Sequence, residues 1–250
     1  MRIREYKVDP VPASEICLSQ VYVWEWPVRI CHWLVAGAIV VLAFTGIYIG
    51  NPFIISPGPA SANFTMGTMK AIHFYAAITF TLALIARVVW MFIGNKYARW
   101  DKFLPVAKIR RDGLLPTLKF YLFLGRKPPG FVGHNPLAGL TYTLVYALLF
   151  LQVLTGLAVY AASATDSWLS SFAFLAPLLG GLQTARWLHH IIMWLLLGFA
   201  AHHIYSAILM SQVEANATVE SIVSGYKFVP KEDLVFSGYR FVDRKTQKGG

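Results

Sequence analysis

Four long stretches of this chain carry almost no charge, and that feature dictates most of what it can become. Residues 33–50 are uncharged and are extended at their start by the amphipathic Val28-Arg29-Ile30-Cys31-His32. Residues 71–94 hold one charge, Arg87, residues 137–162 hold none, and residues 187–213 are polar only at their histidines and ends. Crossing a hydrocarbon layer of ~30 Å takes a helix of ~20 apolar residues. The expected fold is an all-α membrane protein, a four-transmembrane-helix bundle. A shorter apolar stretch, 168–182, contains Pro177 and the pair Gly180-Gly181, and reads as an interfacial segment instead of a fifth span.

Composition agrees. Of 250 residues, 56% are hydrophobic and 14% charged, whereas a water-soluble domain carries about a quarter charged residues. The formal charge of +10 does not mark a nucleic-acid binder, because the cations sit between the apolar runs. The N-terminal segment holds Arg2, Arg4, Lys7 and Arg29, residues 96–127 hold nine cations, and residues 227–248 hold six. The two remaining connections hold only Lys70 and Arg186, so nineteen cations face two. Both termini and the central loop are therefore expected on the cytoplasmic side of the cell inner membrane. This gives a cytoplasmic segment 1–26, a membrane domain 27–213 and a cytoplasmic tail 214–250. Trp24, Trp26, Trp33, Trp90, Trp100 and Trp187 sit near the span ends as an interfacial belt.

Other features are quieter. Cys17 and Cys31 have no metal-ligand spacing and read as plain thiols. No signal peptide is read, and Ala60-Ser61-Ala62 only mimics a cleavage site. "FTGIYIG" (44–50) is echoed by "LTGLAVY" (154–160), which reads as helix packing through small residues.

Six of the seven histidines lie in or beside the spans: His32, His73, His189, His190, His202 and His203. Imidazoles are costly in hydrocarbon, which makes them functional candidates. His189 and His203 are fourteen residues apart, so at ~100° per residue they return within ~40° of one face, ~21 Å apart along the axis. His189 with His202, or His190 with His203, would diverge by ~140°. Span direction puts His73 and His189 near the outer side and His32 and His203 near the inner. Two stacked bis-histidine sites are expected.

Two trans imidazoles with small residues beside them suit a haem. Gly46 lies fourteen residues after His32, at the level of the other site, where it leaves room for a porphyrin edge. Arg87, fourteen after His73, reads either as snorkelling to the interface or as pairing with a propionate, a role open to Arg29 as well. Zinc fits poorly, since no Cys, Asp or Glu completes a tetrahedral shell. With both axial positions filled, two b-type haems would transfer electrons.

The chain resembles the cytochrome b subunit of membrane-bound nickel–iron uptake hydrogenases over residues 22–227. The resemblance rests on "PVRICHW" (27–33), "FTGIYIGNP" (44–52), "ASANFTMGTMKAIHF" (60–74), "GNKYAR" (94–99), "GHNPLA" (133–138), "WLHHIIMW" (187–194), "HHIYSAI" (202–208) and "VSGYK" (223–227). It implies the same four haem ligands, His32, His203, His73 and His189. It also implies a hydrogenase large subunit, an iron–sulfur small subunit with its own transmembrane anchor at the outer face, and quinone reduction near the cytoplasm. The hydrogen-activating site would lie outside this chain. The family pattern places the quinone beside the loop before the third span, at His134, Asn135 and Tyr121. Asn135 ahead of Pro136 also reads as a helix cap. The alternatives are the cytochrome b subunit of another periplasmic oxidoreductase, of formate dehydrogenase or thiosulfate reductase type, and a haem-free transporter or anchor.

Overall fold

The computed structural model describes residues 18–53, 63–125, 130–164, 168–214 and 216–230. Cys17 and Ala60-Ser61-Ala62 lie outside the described residues. In chain order come β1 (Leu18–Tyr22), α1 (Trp26–Gly50), α2 (Thr65–Ile93), α3 (Lys108–Tyr121), α4 (Pro136–Ala161), α5 (Leu175–Leu178), α6 (Leu182–Glu214), α7 (Thr218–Ser224) and β2 (Tyr226–Pro230). Short 3₁₀ helices at Trp100–Lys102 and Trp168–Phe174 fill two connections. Four helices, α1, α2, α4 and α6, are long and apolar enough to cross a membrane. The short apolar stretch forms a 3₁₀ turn and α5 instead of a fifth span.

Local chemistry sets the helix starts. Pro27 opens α1, and Pro136 opens α4 behind Asn135, whose Oδ1 accepts from the Ala138 N–H at 2.7 Å. α2 begins at Thr65 and α6 at Leu182, both earlier than the apolar runs indicate, because their first turns are polar. Side chains such as Val40, Leu82, Leu144 and Trp194 point outward, more than half exposed, as lipid-facing residues do. Mid-bundle, Ala38, Phe80, Leu84, Val145, Leu149, Ile192 and Leu196 bring all four spans into one apolar layer.

The molecule is mostly helical, not all-α. β1 and β2 pair antiparallel, Leu18 with Pro230 and Tyr22 with Tyr226, so the two flanks of the bundle close on each other at one end. We call this the ribbon end and the opposite one the far end. Gly225, at φ +89°, makes the turn into β2, and its carbonyl accepts from the Val23 and Trp24 N–H groups at 2.8 and 3.1 Å. A β-carbon there would meet the Tyr22 ring at 2.6 Å, so glycine is required by space as well as by φ. Glu25 locks the same end, its carboxylate accepting from Trp90 Nε1 at 2.9 Å and from the Asn95 N–H at 2.8 Å. The start of α1 is thereby tied to the exit of α2.

Candidate functional site: two histidine pairs

Helix α6 serves two partners. Its His189 ring faces His73 of α2, with ring centroids 6.4 Å apart, and its His203 ring faces His32 of α1, with centroids 6.3 Å apart. The first pair lies toward the far end and the second toward the ribbon end. The adjacent histidines go elsewhere. His190 Nδ1 meets the Arg186 carbonyl at 3.0 Å, and its Nε2 abuts Gly50. His202 sits on an exposed face, 3.3 Å from Ser206 Oγ.

The far-end pair is held by a repeated device. Thr45 on α1 places Oγ1 2.8 Å from His73 Nδ1, and Thr155 on α4 places Oγ1 2.9 Å from His189 Nδ1. The following glycines lie against the same rings: a β-carbon on Gly46 would stand 3.3 Å from His73 Cε1, and one on Gly156 would stand 3.2 Å from His189 Cε1. The echo of "FTG" in "LTG" is therefore one Thr-Gly pair per histidine. Each threonine commits its hydroxyl hydrogen to its own helix, Thr45 to the Val41 carbonyl at 2.7 Å and Thr155 to the Leu151 carbonyl at 2.8 Å. A hydroxyl has one hydrogen, so each oxygen can only accept from the ring. His73 and His189 thus carry their protons on Nδ1, which leaves Nε2 as the acceptor nitrogen of each ring. The Gln152 amide, 3.2 Å from His189 Nε2, donates to one of those nitrogens, while its own Oε1 is buried without a partner.

The ribbon-end pair is held differently. His32 Nδ1 is buried with no hydrogen-bond partner, and His203 Nδ1 has only the Tyr142 hydroxyl at 3.4 Å. Phe199 stacks on His203 at 5.6 Å and 17°. Tyr142 leads outward to His134, 4.7 Å between centroids, and His134 lies 4.7 Å from Trp24. Asn135 both caps α4 and turns Nδ2 toward the Tyr121 hydroxyl at 3.4 Å. His134, Asn135 and Tyr121 are thus gathered beside the ribbon-end pair.

Three buried arginines frame this end. Arg29 donates to the Val223 carbonyl and lies 4.0 Å over the Trp26 ring. Arg87 reaches the Ala98 carbonyl at 3.4 and 3.5 Å and faces Phe103. Arg110 donates to the carbonyls of Lys102 at 2.5 Å and His134 at 3.1 Å.

The profile of the prokaryotic cytochrome b561 family matches residues 23–225, most of the chain. The chain belongs to this family. A probable Ni/Fe-hydrogenase B-type cytochrome subunit of Cupriavidus necator is 38% identical over 219 residues, covering 86% of this chain and 90% of that protein. The like-named protein of Rhizobium leguminosarum bv. viciae is 40% identical over 220 residues, covering 86% and 92%. The probable Ni/Fe-hydrogenase 1 B-type cytochrome subunit of Escherichia coli K12 is 32% identical over 212 residues, covering 82% and 90%.

Membership in a cytochrome b561 family implies b-type haem, and both pairs fit that group. A metal–imidazole bond is about 2 Å and the nitrogen stands about 1 Å from its ring centre, so trans imidazoles on one iron would centre about 6 Å apart. Both observed separations, 6.4 and 6.3 Å, have that size. A bare ion fits less well, since no cluster of three or more His, Cys, Asp or Glu occurs among the described residues. The fold also brings against the histidine rings residues that the sequence did not single out: Thr45, Thr155, Gly156 and Tyr142. The repeated Thr-Gly was a readable signal for the first three. Tyr142 carried none, and neither did Lys227, which is buried in β2 close enough to act on His134.

Burial, with the nearby charges of Lys227, Arg87 and Arg110, holds His134 well below the ordinary imidazole range. Its unfolded counterpart protonates near ~6.5. Below that pH the unfolded chain binds a proton that the fold refuses, so the neutral ring stabilises fully above it and less as pH falls. The melting temperature in detergent is expected to drop between pH 7 and 5 less steeply in His134→Phe than in the wild type. Parallel curves would refute this.

Proposed function

We propose that this cytochrome passes electrons from a periplasmic nickel–iron hydrogenase across the inner membrane to a quinone. The observation that carries the reading is α6 presenting His189 and His203 to two different helices at two levels. The relatives' names supply the hydrogenase. When bound, two b haems would relay single electrons along the bundle. His73 with His189 would hold the far-end group, and His32 with His203 the ribbon-end group. Gly46 and Gly156 leave the far-end rings room to seat, and the apolar layer around Leu84 and Leu149 excludes water between the levels. Arg29 and Arg87, buried at the ribbon end, would neutralise propionates there.

The distribution of cations makes the ribbon end cytoplasmic, with segment 1–26 and tail 214–250 on that side and the domain 27–213 in the bilayer. The iron–sulfur small subunit and its transmembrane anchor would meet the far end, the large subunit lying beyond it. Hydrogen is oxidised there to two protons and two electrons, outside this chain. At the ribbon end a quinone takes two electrons and two protons to become a quinol. His134, Asn135 and Tyr121 can donate hydrogen bonds to quinone carbonyls and hold the ring beside Tyr142 and His203. Protons drawn from the cytoplasm and released outside build a gradient.

The purified cytochrome should show a reducible b-type α-band and bring a nickel–iron protein with it. A spectrum without that band, or a molybdenum-containing partner, would overturn the assignment. Asn135→Ala should slow quinone reduction by about tenfold, one lost hydrogen bond of ~1.4 kcal/mol, with haem content retained. Equal loss of haem would leave Asn135 as a helix cap alone.

A further inference from the structure

We infer that Thr45 and Thr155 set the redox order of the two histidine sites, holding the far-end haem at lower potential than the ribbon-end haem. The inference rests on the di-haem reading above and concerns what orders the electron's path.

The outer nitrogens of the two pairs are held asymmetrically. At the far end both rings donate their Nδ1 hydrogens at normal length, 2.8 Å to Thr45 and 2.9 Å to Thr155. The acceptors are fixed, because Thr45 and Thr155 are 2% and 1% exposed and each hydroxyl hydrogen is anchored on its own helix. At the ribbon end His32 Nδ1 has no acceptor, and His203 Nδ1 faces a single hydroxyl at 3.4 Å. An acceptor on the outer nitrogen raises the basicity of the ligating one. A more basic ligand pair favours the more positive, oxidised iron, and second-shell hydrogen bonding is among the controls on haem potential. One electron then leaves the far-end haem, which is oxidised, and reduces the ribbon-end haem, with no bond broken and both protons retained on Nδ1. The direction so favoured runs from the far end to the ribbon end.

A packing role would give the same contacts, so the test must separate hydroxyl from volume. Thr45→Val and Thr155→Val keep the shape and remove the acceptor, whereas Thr45→Ser and Thr155→Ser keep the acceptor. Optical redox titration of the purified full-length cytochrome resolves the two haems, and haem content is counted alongside. Each Val variant is expected to raise the far-end potential, changing the electron equilibrium between the haems by about tenfold, which is ~59 mV for one electron. The Ser variants should titrate like the wild type. Loss of the far-end haem in Val variants with retention in Ser variants also supports the hydroxyl's role. Unchanged potentials in haem-replete Val variants, a shift confined to the ribbon-end haem, or equal effects of Val and Ser would overturn the inference. A wild-type protein without two titrating haems would instead sink the di-haem reading itself.

Discussion

Replacing His73 or His189 with alanine should remove one of two haems, the far-end one, while the ribbon-end haem stays in place. Each pair draws its imidazoles from different helices, His73 from α2 and His189 from α6, so neither helix alone can supply both ligands. Loss of one ring also strands the other histidine in an apolar bundle. His32→Ala and His203→Ala should do the converse, since the apolar layer between the levels separates the two sites. Haem per chain would fall to about half in all four variants, and transfer across the membrane would stop in each. Counting haem and recording low-temperature α-bands distinguishes the two sites. Four variants that all keep both haems, or all lose both, would show the pairing to be wrong.

Arg110→Met is expected to cause the largest loss of stability away from the histidines. Its buried guanidinium gathers the carbonyls of Lys102 and His134, joining the turn after α2 to the segment that starts α4. Methionine fills similar volume but leaves those acceptors unpaired, which costs about 3 kcal/mol for two charge-assisted bonds. For a chain of this size that corresponds to roughly 6 °C in melting temperature. The site has no slack, because α4 approaches so closely that a β-carbon on Gly139 would stand 2.5 Å from the Lys102 carbonyl and 2.9 Å from Arg110 Nη2. Gly139→Val should therefore open the same region. Thermal melts in detergent and tryptic cutting of the loop between α2 and α4 measure both effects. Wild-type melting in Arg110→Met would show that water replaces the guanidinium without loss.

The bundle was legible because hydrocarbon imposes a coarse, one-dimensional rule. Residues 33–50, 71–94, 137–162 and 187–213 each lie within or nearly within a helix, and the short 168–182 stretch does not span. Helix ends were less legible, because the first turns of α2 and α6 are polar and carry no apolar signal. The histidine pairs were legible from angular arithmetic on one helix plus the alternating direction of the spans. Asn135 was readable as a cap from its place ahead of Pro136, and the structure gives that bond, whereas its contact with Tyr121 needed the fold.

What the sequence determined by itself is the set of spans, their alternation, and which histidines can share a face, since each depends on local periodicity or on charge counted along the chain. What only the tertiary structure decided is which atoms meet across the bundle. Leu18–Tyr22 joins Tyr226–Pro230 because four spans return the chain to its starting side. Thr45 and Thr155 find His73 and His189 because α1 lies beside α2 and α4 beside α6. A hydroxyl in an apolar run looks like packing until the neighbouring helix is known, because a hydrogen bond depends on distances of about 3 Å that no spacing along one chain can specify.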